Sequence, residues 1–147
     1  MGVFVSEVRP RWSDMDAYGH VNHANTVTLL EEARVDLLFN EAKLRGVIDL
    51  AQGVVIAKLS VEYHLPLFAT GGAVRIAVSV REIRGAYFIL DYTVHNGTKE
   101  SDPVAVTATT TLAPYDLVNS KPRRITDSER DFLAAWHNGG NGGVLRA

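Results

Sequence analysis

The sequence predicts an α+β domain, one long helix set against an antiparallel sheet, on three observations. From Ala24 to about Arg45 there is no glycine or proline, and apolar residues recur at three- and four-residue steps. Further along, four runs alternate between two faces with a period of two. Short turn-forming segments join several of these runs, which suits antiparallel neighbours.

A short strand is expected first, with Val3, Val5 and Val8, ending near Arg9-Pro10-Arg11. A polar stretch separates it from the helix, whose repeat is Leu29, Leu30, Ala33, Leu37, Leu38, Ala42 and Leu44. Asn22 is placed to cap a free N–H of the first turn, and Gly46 to stop the last. Val27, Val35 and Phe39 spread apolar character around the circumference, so a helix mostly wrapped by other structure is expected. The second strand alternates Val55, Ala57, Leu59, Val61, Tyr63 and Leu65 with Ile56, Lys58, Ser60, Glu62 and His64. The third runs from Val74 to Ile83, where a slip of phase predicts a bulge. Arg84-Gly85 turns the chain into the fourth, with Phe88, Leu90, Tyr92 and Val94 on one side. Asn96-Gly97 then opens a longer loop to Asp102, and the last strand spans Val104 to Ala113 before Pro114. Thr126-Asp127-Ser128-Glu129 has capping-box spacing and starts a short helix through Phe132, Leu133 and Trp136. Residues 1–137 are expected to form one domain, and the glycine-rich residues 138–147 a flexible tail. One helix leaves at least one outer strand open, so pairing with a second copy is expected.

At 147 residues one domain is the expectation, and a net charge of −2 does not call for nucleic acid or an anionic membrane as partner. The absence of cysteine excludes disulfides, thiolate metal sites and a cysteine nucleophile. Met1 to Glu7 lacks the basic start and apolar core of a signal peptide. No apolar run approaches the ~20 residues of a membrane span. A cytoplasmic location is therefore expected.

The polar stretch, Trp12 to Asn25, crowds Asp14, Asp16, His20, His23, Asn22, Asn25 and Gly19 together. A metal site of two histidines and a carboxylate is conceivable. However, His20 falls in a turn and His23 at a helix start, and no histidine follows at helical i+4 spacing. Loop and cap roles account for Asp14, Asn22 and Asn25. They account less well for Asp16, a carboxylate followed by a glycine turn that leads into a helix N-terminus. Free N–H groups and the positive end of the helix dipole are what a developing oxyanion needs.

The run Asp14-Met15-Asp16-Ala17-Tyr18-Gly19-His20-Val21-Asn22-His23-Ala24-Asn25, followed by Leu30-Glu31-Glu32-Ala33-Arg34, resembles the signature of the 4-hydroxybenzoyl-CoA thioesterase-like family of hotdog-fold acyl-CoA thioesterases. Tyr63-His64-Leu65-Pro66-Leu67 and the strand succession to Pro114 also match, so the resemblance covers about residues 3–125. It implies a sheet wrapped around a central helix, sheets joined edge to edge in a homodimer or a tetramer of two dimers, and acyl-CoA clefts at the subunit interface. It implies no cofactor beyond the coenzyme A of the substrate, and no metal. Asp16 matches the catalytic carboxylate, as nucleophile or as general base toward water. His23 matches the position whose backbone N–H polarises the carbonyl. Gly19 lets the backbone fold tightly over the substrate. Asn22 falls among the substrate-binding positions, and Glu31 matches a helix carboxylate whose role is structural or catalytic. Thr26 stands where many relatives carry tyrosine, which reshapes the acyl pocket.

His64 lies on the polar side of its strand, with a part in lining the substrate as the alternative. Among the basic residues Arg75, Arg81, Arg84, Lys121, Arg123 and Arg124, the candidates for coenzyme A phosphates are Arg84, Arg123 and Arg124. His95 and His137 read as surface residues. Two other functions compete: an acyl carrier protein thioesterase, and a non-catalytic acyl-CoA binding module. The acid and base pattern of hotdog dehydratases is absent from the helix.

Overall fold

The computed structural model describes residues 2–68 and 72–138. Apart from Asn138, the expected tail lies outside them. The strands are β1 (Phe4–Val8), β2 (Val54–Tyr63), β3 (Val74–Ile83), β4 (Phe88–His95), β5 (Val104–Asp116) and the short β6 (Lys121–Pro122). They form an antiparallel sheet in the order β1-β3-β4-β5-β2, with β6 pairing to β5. Helix α1 (His23–Val35) continues through a π-helical stretch (Asp36–Glu41) into a final turn, α2 (Ala42–Leu44). The sheet curls around this long helix, and α3 (Asp127–Ala135) follows at the C-terminal side. The α+β hotdog architecture implied by the sequence is the one observed.

The helix ends are set by the residues expected to set them. Asn22 Oδ1 accepts from the Ala24 N–H at 2.9 Å. Gly46 adopts φ +81°, and its N–H donates to the Lys43 carbonyl at 3.0 Å while that of Val47 donates to Ala42 at 2.8 Å. This is a Schellman stop. Leu29, Leu30, Ala33, Leu37, Leu38 and Ala42 are buried against the sheet. The wider π turn spans the five-residue step from Leu37 to Ala42 and keeps both inward. The expectation of a helix mostly wrapped by other structure holds on the side that faces the sheet. Glu31, Glu32, Phe39 and Asn40 are exposed, because the sheet covers one side only.

Facing the helix are Val74, Ile76, Val78 and Val80 of β3, Phe88, Leu90, Tyr92 and Val94 of β4, and Val106, Ala108, Thr110 and Leu112 of β5. The bulge expected at Ile83 falls between Val80 and Glu82. A second bulge, between Ile56 and Lys58, breaks the alternation read along β2. Tyr63, Val61 and Leu59 lie opposite Val106, Ala108 and Thr110, but beyond the bulge Ile56 and Val54, rather than Val55, share that face. As β2 is the edge strand, Ile56, Leu59 and Tyr63 remain 44%, 41% and 48% exposed.

One residue expected at the surface is not there. His95 is buried because the loop after β4 folds back over it, bringing the Asp102 carbonyl to 2.9 Å from Nδ1. His137 is exposed, with Nε2 3.0 Å from the Arg81 carbonyl. The capping box that starts α3 forms as read: the Thr126 hydroxyl accepts from the Glu129 N–H at 3.2 Å, and Glu129 Oε1 accepts from the Thr126 N–H at 2.8 Å.

Candidate active site

Asp16 opens a tight reversal of the chain. Its carbonyl accepts from the Gly19 N–H at 3.2 Å, and its own N–H donates to the His20 carbonyl at 2.8 Å. Gly19 adopts φ +76°, a left-handed conformation that a residue with a Cβ takes only at a cost. Asp16 Oδ1 accepts from the N–H groups of Tyr18 at 2.9 Å and His20 at 3.3 Å, an Asx turn that fixes the carboxylate. Its Oδ2 has no partner among the described residues.

Two anchors hold this turn in place. On one side, the Val21 N–H donates to the Leu67 carbonyl at 2.7 Å. On the other, the Asp14 carbonyl accepts from the Asn22 N–H at 2.8 Å and from Asn25 Nδ2 at 3.2 Å. Asp14 is itself buried, and its carboxylate accepts from the Arg11 N–H at 2.7 Å, Nε at 3.2 Å and Nη2 at 2.9 Å. The hydrogen bond from the Arg11 guanidinium holds the Asp14 carboxyl below the usual aspartate range, against the opposing effect of burial. Asp14 is thus a brace for the turn.

Asp16 lines a cleft of about 350 Å³ together with His20, His23, Thr26, Tyr63, His64, Val106 and the segment Leu65–Leu67. The floor is largely apolar, and the helix start forms one wall. Thr26 is buried there, and its hydroxyl donates to the Asn22 carbonyl at 3.3 Å. Among the described residues the N–H groups of His23 and Asn25 have no acceptor. Aligned at a helix start, they are donors for an anion. His20 packs edge-on against Phe68, with ring centroids 4.9 Å apart. Among the described residues no three histidine, aspartate or glutamate side chains converge as a metal site would need.

The structure thus gathers Asp16 and His23, with Gly19 shaping the turn and Asn22 capping the wall. His64 borders the cleft but directs Nε2 to Thr107 Oγ1 at 2.9 Å, on the sheet face shared by Glu62 and Thr107. Glu31 is elsewhere, beside a 170 Å³ pocket between α1 and β2 and 4.0 Å from Arg34. None of the three arginines lines the cleft of its own chain. Arg84 pairs with Glu82 at the β3–β4 turn. Arg124 lies over Gly85, where a Cβ would come within 2.6 Å of Nη2. Arg123 is committed elsewhere: it donates to both carboxylate oxygens of the fully buried Glu129, at 2.9 and 2.7 Å, and to the Asp49 carbonyl at 3.1 Å. A guanidinium so engaged has little left for a phosphate, which corrects the expectation placed on it.

Tyr63 is a cleft residue to which the sequence, beyond its place in the Tyr63–Leu67 segment, assigns no role. Its hydroxyl donates to the His23 carbonyl at 2.6 Å, and its ring meets the His23 ring edge-on at 6.3 Å. Partial burial pushes its phenol above the ordinary tyrosine range. The signal available was its phase: Tyr63 shares the helix-facing side with Val61, at the strand end next to Pro66.

Comparisons with known proteins agree with this fold. The family model described as the thioesterase-like superfamily matches residues 10–136. Among solved structures, the probable thioesterase YbaW from Escherichia coli is 24% identical with a TM-score of 0.70, over 90% of this chain and 96% of that one. A thioesterase from Thermus thermophilus, complexed with coenzyme A and zinc, is 22% identical with a TM-score of 0.69, over 92% and 93%. The DHNA-CoA thioesterase from Staphylococcus aureus is 22% identical with a TM-score of 0.71, over 92% and 89%. At these identities the solved structures show a shared fold. No curated protein matches the sequence.

Proposed function

We propose that this chain, which belongs to the thioesterase-like superfamily and is a thioester hydrolase, acts on acyl-CoA, releasing a free acid and coenzyme A. The observation that carries the reading is a fixed carboxylate with one open oxygen, in the same cleft as a helix start whose N–H groups lack acceptors. A thioester carbonyl is electrophilic enough for that machinery. Asp16 Oδ2 either attacks the carbonyl carbon, giving an anhydride that water later opens, or takes a proton from the attacking water. In both routes the C–S bond breaks, coenzyme A leaves as thiolate, and the N–H of His23, at the helix start that lines the cleft, stabilises the oxyanion. Each such donor is typically worth ~10²–10³ in rate.

The coenzyme A moiety carries phosphates, and the exposed guanidiniums of Arg84 and Arg124 suit them. These arginines do not line the cleft of their own chain, so in this reading they meet the coenzyme A held by a partner copy. The bare inner face of β2, with Ile56, Leu59 and Tyr63, supports edge-to-edge pairing of two sheets. The reaction as proposed uses no cofactor. Among the described residues no helix is long and apolar enough to cross a membrane, and we place the enzyme in the cytoplasm.

The test is thiol release from short, medium, long and aromatic acyl-CoAs and from an acyl carrier protein thioester, with and without a chelator. Turnover that resists the chelator and disappears in Asp16→Asn supports the proposal, and the panel reveals the preferred acyl group. Absence of turnover with every coenzyme A ester overturns the substrate assignment, and hydrolysis of the carrier-protein ester alone replaces it.

A further inference from the structure

Tyr63 stands on β2, yet its hydroxyl reaches the His23 carbonyl at 2.6 Å. That carbonyl and the Ala24 N–H are the two ends of a single peptide group. The N–H end is taken by Asn22 Oδ1 at 2.9 Å. One peptide plane of the first helical turn is therefore held at both ends, by the cap residue and by a neighbouring strand. Because the plane is rigid, holding it also limits the rotation of the peptides on either side, which carry the unpartnered N–H groups of His23 and Asn25. First turns of helices ordinarily fray, and an oxyanion donor must not. The edge-on contact between the Tyr63 and His23 rings closes the same side, and the upward displacement of the phenol keeps the hydroxyl protonated as a donor.

We infer that Tyr63 is a positioning residue, whose hydroxyl fixes the start of the helix and so holds the His23 amide on the place where the thioester oxygen becomes negative. The inference rests on the acyl-transfer reading of the same cleft. Tyr63 touches no reacting atom; it acts through the 23–24 peptide.

Tyr63→Phe keeps the ring and removes only the hydroxyl. The expected result is a fall in kcat of about 10- to 100-fold, the scale of a small misplacement of a catalytic group, with KM little changed. Amide-resolved NMR of the same variant is expected to show displaced, faster-exchanging N–H signals for His23 and Asn25, with the middle of α1 undisturbed. Unchanged kcat, with or without a lower Tm, overturns the inference and leaves the Asp16 reading intact. Wild-type protein inactive on every thioester overturns the acyl-transfer reading instead. The two amide signals then decide the positioning: displacement supports it and constancy overturns it.

Discussion

Replacing Arg123 by methionine keeps the length of the stem and removes the guanidinium. Glu129, with no exposed surface, would then keep only the Thr126 N–H at 2.8 Å in place of two further bonds of 2.9 and 2.7 Å. Removing one partner of a buried ion pair costs about 3–5 kcal/mol. Because the Arg123 side chain is 24% exposed, water can partly replace it and the lower end applies. About 3 kcal/mol corresponds to a fall in Tm of roughly 10 °C for a chain of this size. The pH dependence gives a second reading. Burial pushes Glu129 up, but Arg123 and the Thr126 N–H outweigh it and hold the carboxyl below its ordinary 4.5. In the wild type this stabilisation is complete above 4.5 and is lost as pH falls through the lower folded value. In Arg123→Met the opposition to burial weakens, the folded value rises, and acidification relieves part of the penalty. The gap in Tm between the two proteins should therefore narrow as pH falls. Calorimetry at several pH values tests both points. A Tm within about 2 °C of wild type, combined with a raised KM for acyl-CoA, would refute the structural role and restore Arg123 as a phosphate contact.

Asp16→Asn keeps the Oδ1 acceptor that closes the turn, so Tm should hold while turnover falls about 10³-fold or more; equal turnover would remove Asp16 from the chemistry. Leu59→Asp puts a charge on the bare inner face of β2 and should yield an inactive monomer by sedimentation, whereas an active monomer would show that one copy suffices. Gly85→Ala pushes a Cβ toward Arg124 Nη2, 2.6 Å from it, and the flexible guanidinium can swing aside. KM for acyl-CoA should rise about tenfold, the loss of one modest charged contact, with Tm unchanged; an unaltered KM would exclude Arg124 from phosphate binding.

Much of this was legible in the sequence because periodicity reports burial directly. Leu29 to Ala42 gave the helix and its inner face, Asn22 and Gly46 gave its ends, and Thr126 with Glu129 gave the start of α3. The bulge in β2 was hidden, because residues on both sides of an edge strand are half exposed and both phases look plausible. His95 was misread since its burial depends on a loop that folds back, a contact with no periodic trace. Asp16 is a candidate on its company of glycine and helix start, and the structure places it in the cleft with His23. Arg123 was misread for the opposite reason: its partner Glu129 lies only six residues on, but the pairing depends on the Thr126 cap pointing Glu129 inward. Tyr63 was overlooked because its significance is a bond to a main-chain atom forty residues away, and main-chain partners have no side-chain signature.

The position of β2 at the edge of the sheet has a consequence for how activity is lost. This strand provides Tyr63, and the segment that follows it provides Leu65 to Leu67 of the cleft, yet it is secured along one side only, by β5. Most of the buried core lies between α1 and β3, β4 and β5. Local opening of β2 is therefore a cheaper excursion than unfolding of the whole domain, and it dismantles the cleft while leaving the helix bundled in its sheet. Heat inactivation should precede the calorimetric transition. The proposed pairing of β2 with a second copy would raise the free energy of that opening by mass action. On that proposal, dilution should shorten the working life of the enzyme at temperatures where its fold is still intact.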